Sequence, residues 1–236
     1  MLHINNYSKI YSNGKVGAKD IELKVEKGDI FAFIGPNGAG KTTTIKSIVG
    51  INDITNGDII VDGVSILKNP MEVKSKIAYI PDNPDIYNSL TGIQYINLIA
   101  DIFNVEKGTR KELTEKYAKL LELDKDLNTP IGNYSHGMRQ KLVIIASLIH
   151  SPKLIVMDEP FVGLDPNASH IVKEIMIEFC KNGGAIFFST HVLEVAEKLC
   201  NKVAIIKNGS LVKIGTMAEI KKDKSLEEVF LELNNA

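Results

Sequence analysis

The chain has 236 residues, 44% of them hydrophobic and 24% charged, which is enough to bury a sizeable core and excludes a disordered or fibrous class. A formal charge of -1 with no long basic block lacks the electrostatic footprint of a dedicated nucleic-acid binder, so no nucleic acid is expected as a partner. The two cysteines, Cys180 and Cys200, have no metal-ligand spacing and read as reduced, mostly buried thiols of a cytoplasmic protein.

At the start, Met1-Leu2-His3-Ile4-Asn5-Asn6 lacks a charged stretch followed by an apolar one, so no secretory signal is expected. Residues 1–27 read as hairpin strands of an antiparallel edge, as does Gly57-Asp58-Ile59-Ile60-Val61-Asp62-Gly63. Ile30-Phe31-Ala32-Phe33-Ile34 is the first of four apolar runs without polar alternation. The others are Leu154-Ile155-Val156-Met157, Ala185-Ile186-Phe187-Phe188 and Val203-Ala204-Ile205-Ile206. Such runs are expected of parallel strands covered on both faces and joined by crossover helices, an α/β fold.

Directly after the first run, Gly35-Pro36-Asn37-Gly38-Ala39-Gly40-Lys41-Thr42 matches G-x-x-x-x-G-K-[ST], and a helical stretch over 43–49 follows. Glycines let the backbone N–H groups converge on phosphate oxygens, and the helix adds its positive end. Lys41 should reach the β- and γ-phosphates, Thr42 should place a hydroxyl on Mg²⁺, and Thr43 is available to another phosphate oxygen. The bland alternative is a glycine-rich turn with a chance lysine.

From about residue 84 to 151 the pattern turns helical, with Leu113, Tyr117, Leu120 and Leu121 at helical spacing, which predicts a helical insertion in the α/β core. The apolar run 142–149 is far short of the ~20 residues a spanning helix needs, so any membrane role is borrowed from a partner. Asp158 and Glu159 follow the second apolar run, beyond the carboxyl end of a buried strand, where ligands bind in open parallel sheets. Asp158 is suited to orient Mg²⁺ and Glu159 to polarise water for attack on a γ-phosphate; capping of the next turn is the alternative. His191 lies beyond the third run and can sense a γ-phosphate by donating a hydrogen bond, though alone it reads as a structural histidine. Ser225 and Glu228 form a capping box before Leu226, Val229, Phe230 and Leu233, predicting a small amphipathic helix packed on the core.

With these residues assembled, the chain resembles the nucleotide-binding subunit of ATP-binding cassette proteins from about Leu2 to Leu233. Tyr134-Ser135-His136-Gly137-Met138-Arg139-Gln140 looks like the family's signature, Gly163-Leu164-Asp165-Pro166 like its inter-subunit loop, and His191 like its switch histidine. By its residues alone Ser135 is a helix N-cap. The resemblance implies that Ser135 and Gly137 close over ATP held by a second cassette subunit in a head-to-tail dimer, homo- or heteromeric. It also implies adenine stacking on Tyr11, a position a strand-edge tyrosine fits equally. Asp82 stands where the family usually has glutamine, and it can meet Mg²⁺ or water but cannot donate like an amide.

His136 and Met138, where Gly and Gln are commonest, resemble the signatures of bacterial exporters whose transmembrane permease is a separate chain. That places the protein at the cytoplasmic face of the membrane through its partners. The expected architecture is one phosphate-loop NTPase domain, with an α/β core and antiparallel β subdomain over 1–83 and 152–236 and a helical subdomain over 84–151. The rivals are a phosphate-loop kinase, a soluble non-transport cassette and a binding-only cassette. The first is opposed by a chain with only Arg110 and Arg139, since such kinases clamp phosphates with arginines. The second usually carries a coiled coil, a zinc-binding tip or a second cassette, and the third is opposed by intact Lys41, Asp158, Glu159 and His191.

Overall fold

The computed structural model describes residues 1–235. Ile30–Ile34 forms β3, buried at every residue because it lies in the middle of a six-stranded sheet. The sheet order is β10-β9-β3-β8-β7-β6, with β6 at Ile77–Ile80, β7 at Leu154–Asp158, β8 at Ala185–Thr190, β9 at Lys202–Lys207 and β10 at Ser210–Thr216. All neighbours pair in parallel except β10, which returns antiparallel on β9. β1 (Leu2–Ile10), β2 (Val16–Val25), β4 (Asn56–Val61) and β5 (Val64–Ser65) form a separate antiparallel sheet ordered β2-β1-β4-β5. The expected division between a parallel core and an antiparallel edge sheet is therefore present.

Strand alternation sorts the core into two layers. Ala32, Ile34, Ile155, Met157, Ile186 and Phe188 pack with the helices, while Phe31, Phe33, Leu154, Val156 and Phe187 pack with the antiparallel sheet and α1 (Lys41–Ile48). On the second face Phe187 stacks on Phe31 at 5.6 Å and contacts Phe33 at 5.2 Å. Both faces are covered, which is why these strands carry no polar alternation.

α2 (Pro70–Lys76) precedes β6. The helical segment contains α3 (Gly92–Ile102), α4 (Lys107–Leu120), a 3₁₀ turn over Ile131–Asn133 and α5 (His136–Leu148). Leu113 and Tyr117 pack half-buried against the core and Leu121 is fully buried just beyond α4, as the spacing predicts; Thr114 and Ala118 are buried beside them, and Leu120 is the one of the four that is exposed. Small residues let α4 approach its neighbours closely, which the apolar spacing alone does not register. α6 (Pro166–Lys181) and α7 (Leu193–Leu199) flank β8, and α8 (Met217–Lys221) and α9 (Leu226–Asn235) close the chain. The Ser225–Glu228 box is present, with Ser225 N–H donating to Glu228 Oε2 at 2.7 Å and Glu228 N–H to Ser225 Oγ at 3.2 Å. Cys180 and Cys200 are buried free thiols.

Candidate nucleotide site

The helix α1 begins two residues earlier than its sequence pattern suggests, so Lys41 and Thr42 are its first residues. Gly40 is its N-cap at φ 107°, and no side chain accepts from the first turn. The N–H groups that open α1 thus lack a side-chain partner and share the positive end of the helix, the arrangement that receives phosphate. A Cβ on Gly35 would lie 2.4 Å from the Ile206 carbonyl oxygen, and one on Gly40 2.4 Å from that of Gly17. Gly38, at φ 79°, meets nothing within 4 Å. Packing beneath the loop demands the first two glycines, while Gly38 leaves the outer side open.

Lys41 is 7% exposed, and its ammonium donates to the carbonyls of Gly35 at 2.7 Å and Pro36 at 3.3 Å. A phosphate is a stronger acceptor than either carbonyl and can draw the charge outward. Ala39 is buried under the same turn.

Across the loop, β7 ends in Asp158, buried in the sheet. Its Oδ2 accepts from the Thr42 hydroxyl at 2.7 Å and its Oδ1 from the Ser189 hydroxyl of β8. Glu159 takes a left-handed φ of 48°, uncommon outside glycine, and its N–H lies 3.2 Å from both Ser189 oxygens. Its carboxylate is held by His191, with Nδ1 3.0 Å from Oε1 and the backbone N–H donating to Oε2 at 3.3 Å.

Lys41, Thr42, Asp158 and Glu159 open on one cavity of ≈ 550 Å³, within the range of small-molecule sites. Its lining brings together Tyr11, Asn37, Gly38, Gly40, Lys41, Thr42, Thr43, Asp82, Asp158 and Glu159. Tyr11 lies in the turn past β1, its hydroxyl 3.1 Å from Thr43 Oγ1. The carboxyl of Asp82 is pushed above its ordinary range, first by partial burial and then by the charges of Asp158 and Glu159, with His136 and His191 opposing.

The signature residues stand apart. Ser135 caps α5, accepting from Met138 N–H at 3.2 Å. The His136 ring abuts Gly163, a Cβ on Gly137 would lie 2.7 Å from Gly163 O, and Lys141 pairs with Asp165 at 3.3 Å. Neither Ser135, Gly137 nor His191 lines the cavity. Sequence reasoning missed Ser189, which clamps Asp158 and Glu159 together, and Gly17, on whose carbonyl the loop rests. Ser189 carried a usable signal, being a polar residue at the end of an otherwise apolar run.

The residues fit the implied groups: uncapped N–H donors and an ammonium suit a triphosphate, and the oxygen-only set of Thr42, Asp158 and Asp82 suits Mg²⁺.

Residues 18–162 match the family model described as ABC transporter. The ABC-type transporter ATP-binding protein EcsA of Bacillus subtilis is 33% identical, over 99% of this chain and 96% of its own length. The chain belongs to the ABC transporter family. A solved ATP-binding subunit of an ABC transporter is 32% identical and superposes with a TM-score of 0.95, covering 99% of both chains. A dimeric ATP-binding cassette in a post-hydrolysis state with ADP and Pi shares the fold, with a TM-score of 0.85 at 20% identity over 92% of this chain and 99% of its own. The cassette binds and hydrolyses ATP, and its fold is that of the phosphate-loop ATPases with an antiparallel sheet and added helices.

Proposed function

We propose that this cassette closes head to tail on a second cassette around two ATP and powers export through separate permease subunits, at the cytoplasmic face of the membrane. The observation that supports the pairing is the exclusion of Ser135 and Gly137 from the chain's own nucleotide cavity. In this reading the capped start of α5 meets the nucleotide of another subunit. Among the described residues no helix is long and apolar enough to cross a membrane, in keeping with separate permeases. In this reading 1–83 and 152–236 form the ATP-holding core with its β subdomain. The helical subdomain, 84–151, relays closure, with residues 82–90 as its contact to the permease.

Each side chain then has a role. Tyr11 stacks on adenine, and the loop from Gly35 to Gly40 wraps the phosphates with Thr43 as a further hydroxyl donor. Lys41 leaves its carbonyls to neutralise charge on the β- and γ-oxygens. Thr42, Asp158 and Asp82 hold Mg²⁺, which when bound supplies electrostatic stabilisation of the transferring phosphoryl group. Glu159 orients a water in line with the γ-phosphorus and accepts its proton. His191 holds the Glu159 carboxylate and donates to a γ-oxygen. Ser135 and Gly137 of the second subunit close the site.

The test is light scattering of Glu159→Gln with and without Mg-ATP. The expected result is an ATP-dependent doubling of mass, with turnover reduced about a hundredfold or more and ATP binding retained. A monomer at every ATP concentration counts against pairing, and unchanged turnover removes Glu159 from its role.

A further inference from the structure

β6 is an edge strand of the parallel sheet, bonded only to β7, so Ile77 and Tyr79 turn their carbonyls outward, and Pro81 follows directly after the strand. Proline is tolerated at position 81 because the ladder has ended at Ile80 and no N–H is needed. Three polar side chains from the signature helix and its end cover these carbonyls in reverse order. His150 Nε2 lies 3.2 Å from Ile77 O, Ser147 Oγ donates to Tyr79 O at 3.4 Å, and Gln140 Nε2 donates to Pro81 O at 3.5 Å. The spacing allows all three at once. Residues 140 to 150 span about 15 Å along a helical path, and 77 to 81 about 13 Å along a strand.

The last rung matters most. Gln140 is fully buried, one helical turn beyond His136, and its Oε1 has no hydrogen-bond partner. The Pro81 carbonyl lies in the same planar peptide as the Asp82 nitrogen, and the proline ring fixes φ. Whatever holds that oxygen orients the peptide plane from which Asp82 enters the nucleotide cavity. A chain that needed only to fill this space would carry leucine or methionine, which leave no orphaned amide oxygen.

We propose that Gln140 is a positioning residue for ATP hydrolysis, holding the Pro81–Asp82 peptide so that the signature helix and the Asp82 carboxylate move as one. This rests on the reading of Asp82 as a group acting on bound nucleotide. When the signature of one subunit engages its partner's ATP, the displacement of α5 reaches Asp82 of its own site through this amide. The two sites of a dimer are thus coupled by one side chain at the head of the ladder, while Ser147 and His150 keep the helix in register along the strand.

Gln140→Met keeps the volume and removes the donor together with the orphaned oxygen. The expected result is a kcat lowered about tenfold, the scale of one lost hydrogen bond, with KM for ATP within about twofold and thermal stability retained. Hydrogen exchange of nucleotide-free protein should be faster over 82–88 and unchanged in β7. In an Asp82→Ala background the same substitution should lower kcat less than about twofold, since a residue acting through Asp82 has nothing left to position. Gln140→Leu, which likewise removes the donor and the orphaned oxygen, should repeat the loss and serves if the methionine variant folds poorly. Equal losses in both backgrounds, or an unchanged kcat and exchange rate in Gln140→Met, overturn the proposal. If Asp82→Ala itself leaves turnover intact, the failure lies in the reading of Asp82, and this proposal falls with it.

Discussion

Asp158 and Glu159 are adjacent carboxylates with different partners: hydroxyls of Thr42 and Ser189 hold the first, while an imidazole holds the second. Both acids stood out in the sequence because they terminate a buried strand, but their different environments did not. Ser189 and His191 are some thirty residues away and reach them only through the pairing of β7 with β8. Asp82 is the third acid of the cleft, and its charge is resisted by partial burial and by the other two. Its carboxyl ionises less readily in the folded chain than in the unfolded one. It therefore favours folding when protonated, and that advantage is lost as pH rises through its raised folded value. Asp82→Asn should accordingly raise the melting temperature at pH 7, with the gain shrinking as pH falls through the raised folded value of the wild-type carboxyl, which then also becomes neutral. Calorimetry across that range decides it: a gain independent of pH assigns the effect to something other than charge.

Among the elements, those that announced themselves were β3, β7, β8 and β9, because a strand covered on both faces must be apolar throughout. β6 was less legible. As an edge strand it is short, and its identity depends on the helix that covers its outward carbonyls, a contact across more than fifty residues of chain. The stripe of α4 was legible in Leu113, Tyr117 and Leu121 but only in part, for a related reason: close helix packing also selects Thr114 and Ala118, which do not register as hydrophobic peaks. The loop before α1 was legible in full because its chemistry is contiguous, but the reason for each glycine was not. Gly40 needs both a positive φ and clearance from Gly17 O. Gly40→Ala should destabilise the cassette by about 2 kcal/mol or more, combining left-handed strain with a backbone clash, and should weaken ATP binding in parallel. Denaturant titration with and without ATP checks it. An unchanged midpoint would mean that β2 yields to the added methyl and the loop does not depend on this approach.

For the whole molecule, the loop proposed to hold phosphate and the start of α5 proposed to close over it lie on one chain but not around one cavity. A head-to-tail pair built from such chains has a testable arithmetic. A Lys41→Ala subunit spoils the site it contributes with its loop, and a Ser135→Arg subunit spoils the site it contributes with its signature. In a mixed dimer both defects fall in the same composite site, and the other site has an intact loop and an intact signature. Each variant alone should be nearly inactive. An equimolar mixture should recover about a quarter of wild-type turnover, because half of the dimers are mixed and each carries one sound site of two. If each chain instead completed its own site, mixing would rescue nothing, since every chain keeps its own lesion. The contribution of Lys141 and Asp165, which tie the signature helix to the Gly163 loop within one chain, would then become the next place to look. Recovery well above a quarter would mean that a sound site paired with a spoiled one turns over faster than the same site in an intact dimer. That result would make the coupling through Gln140 a brake between the sites.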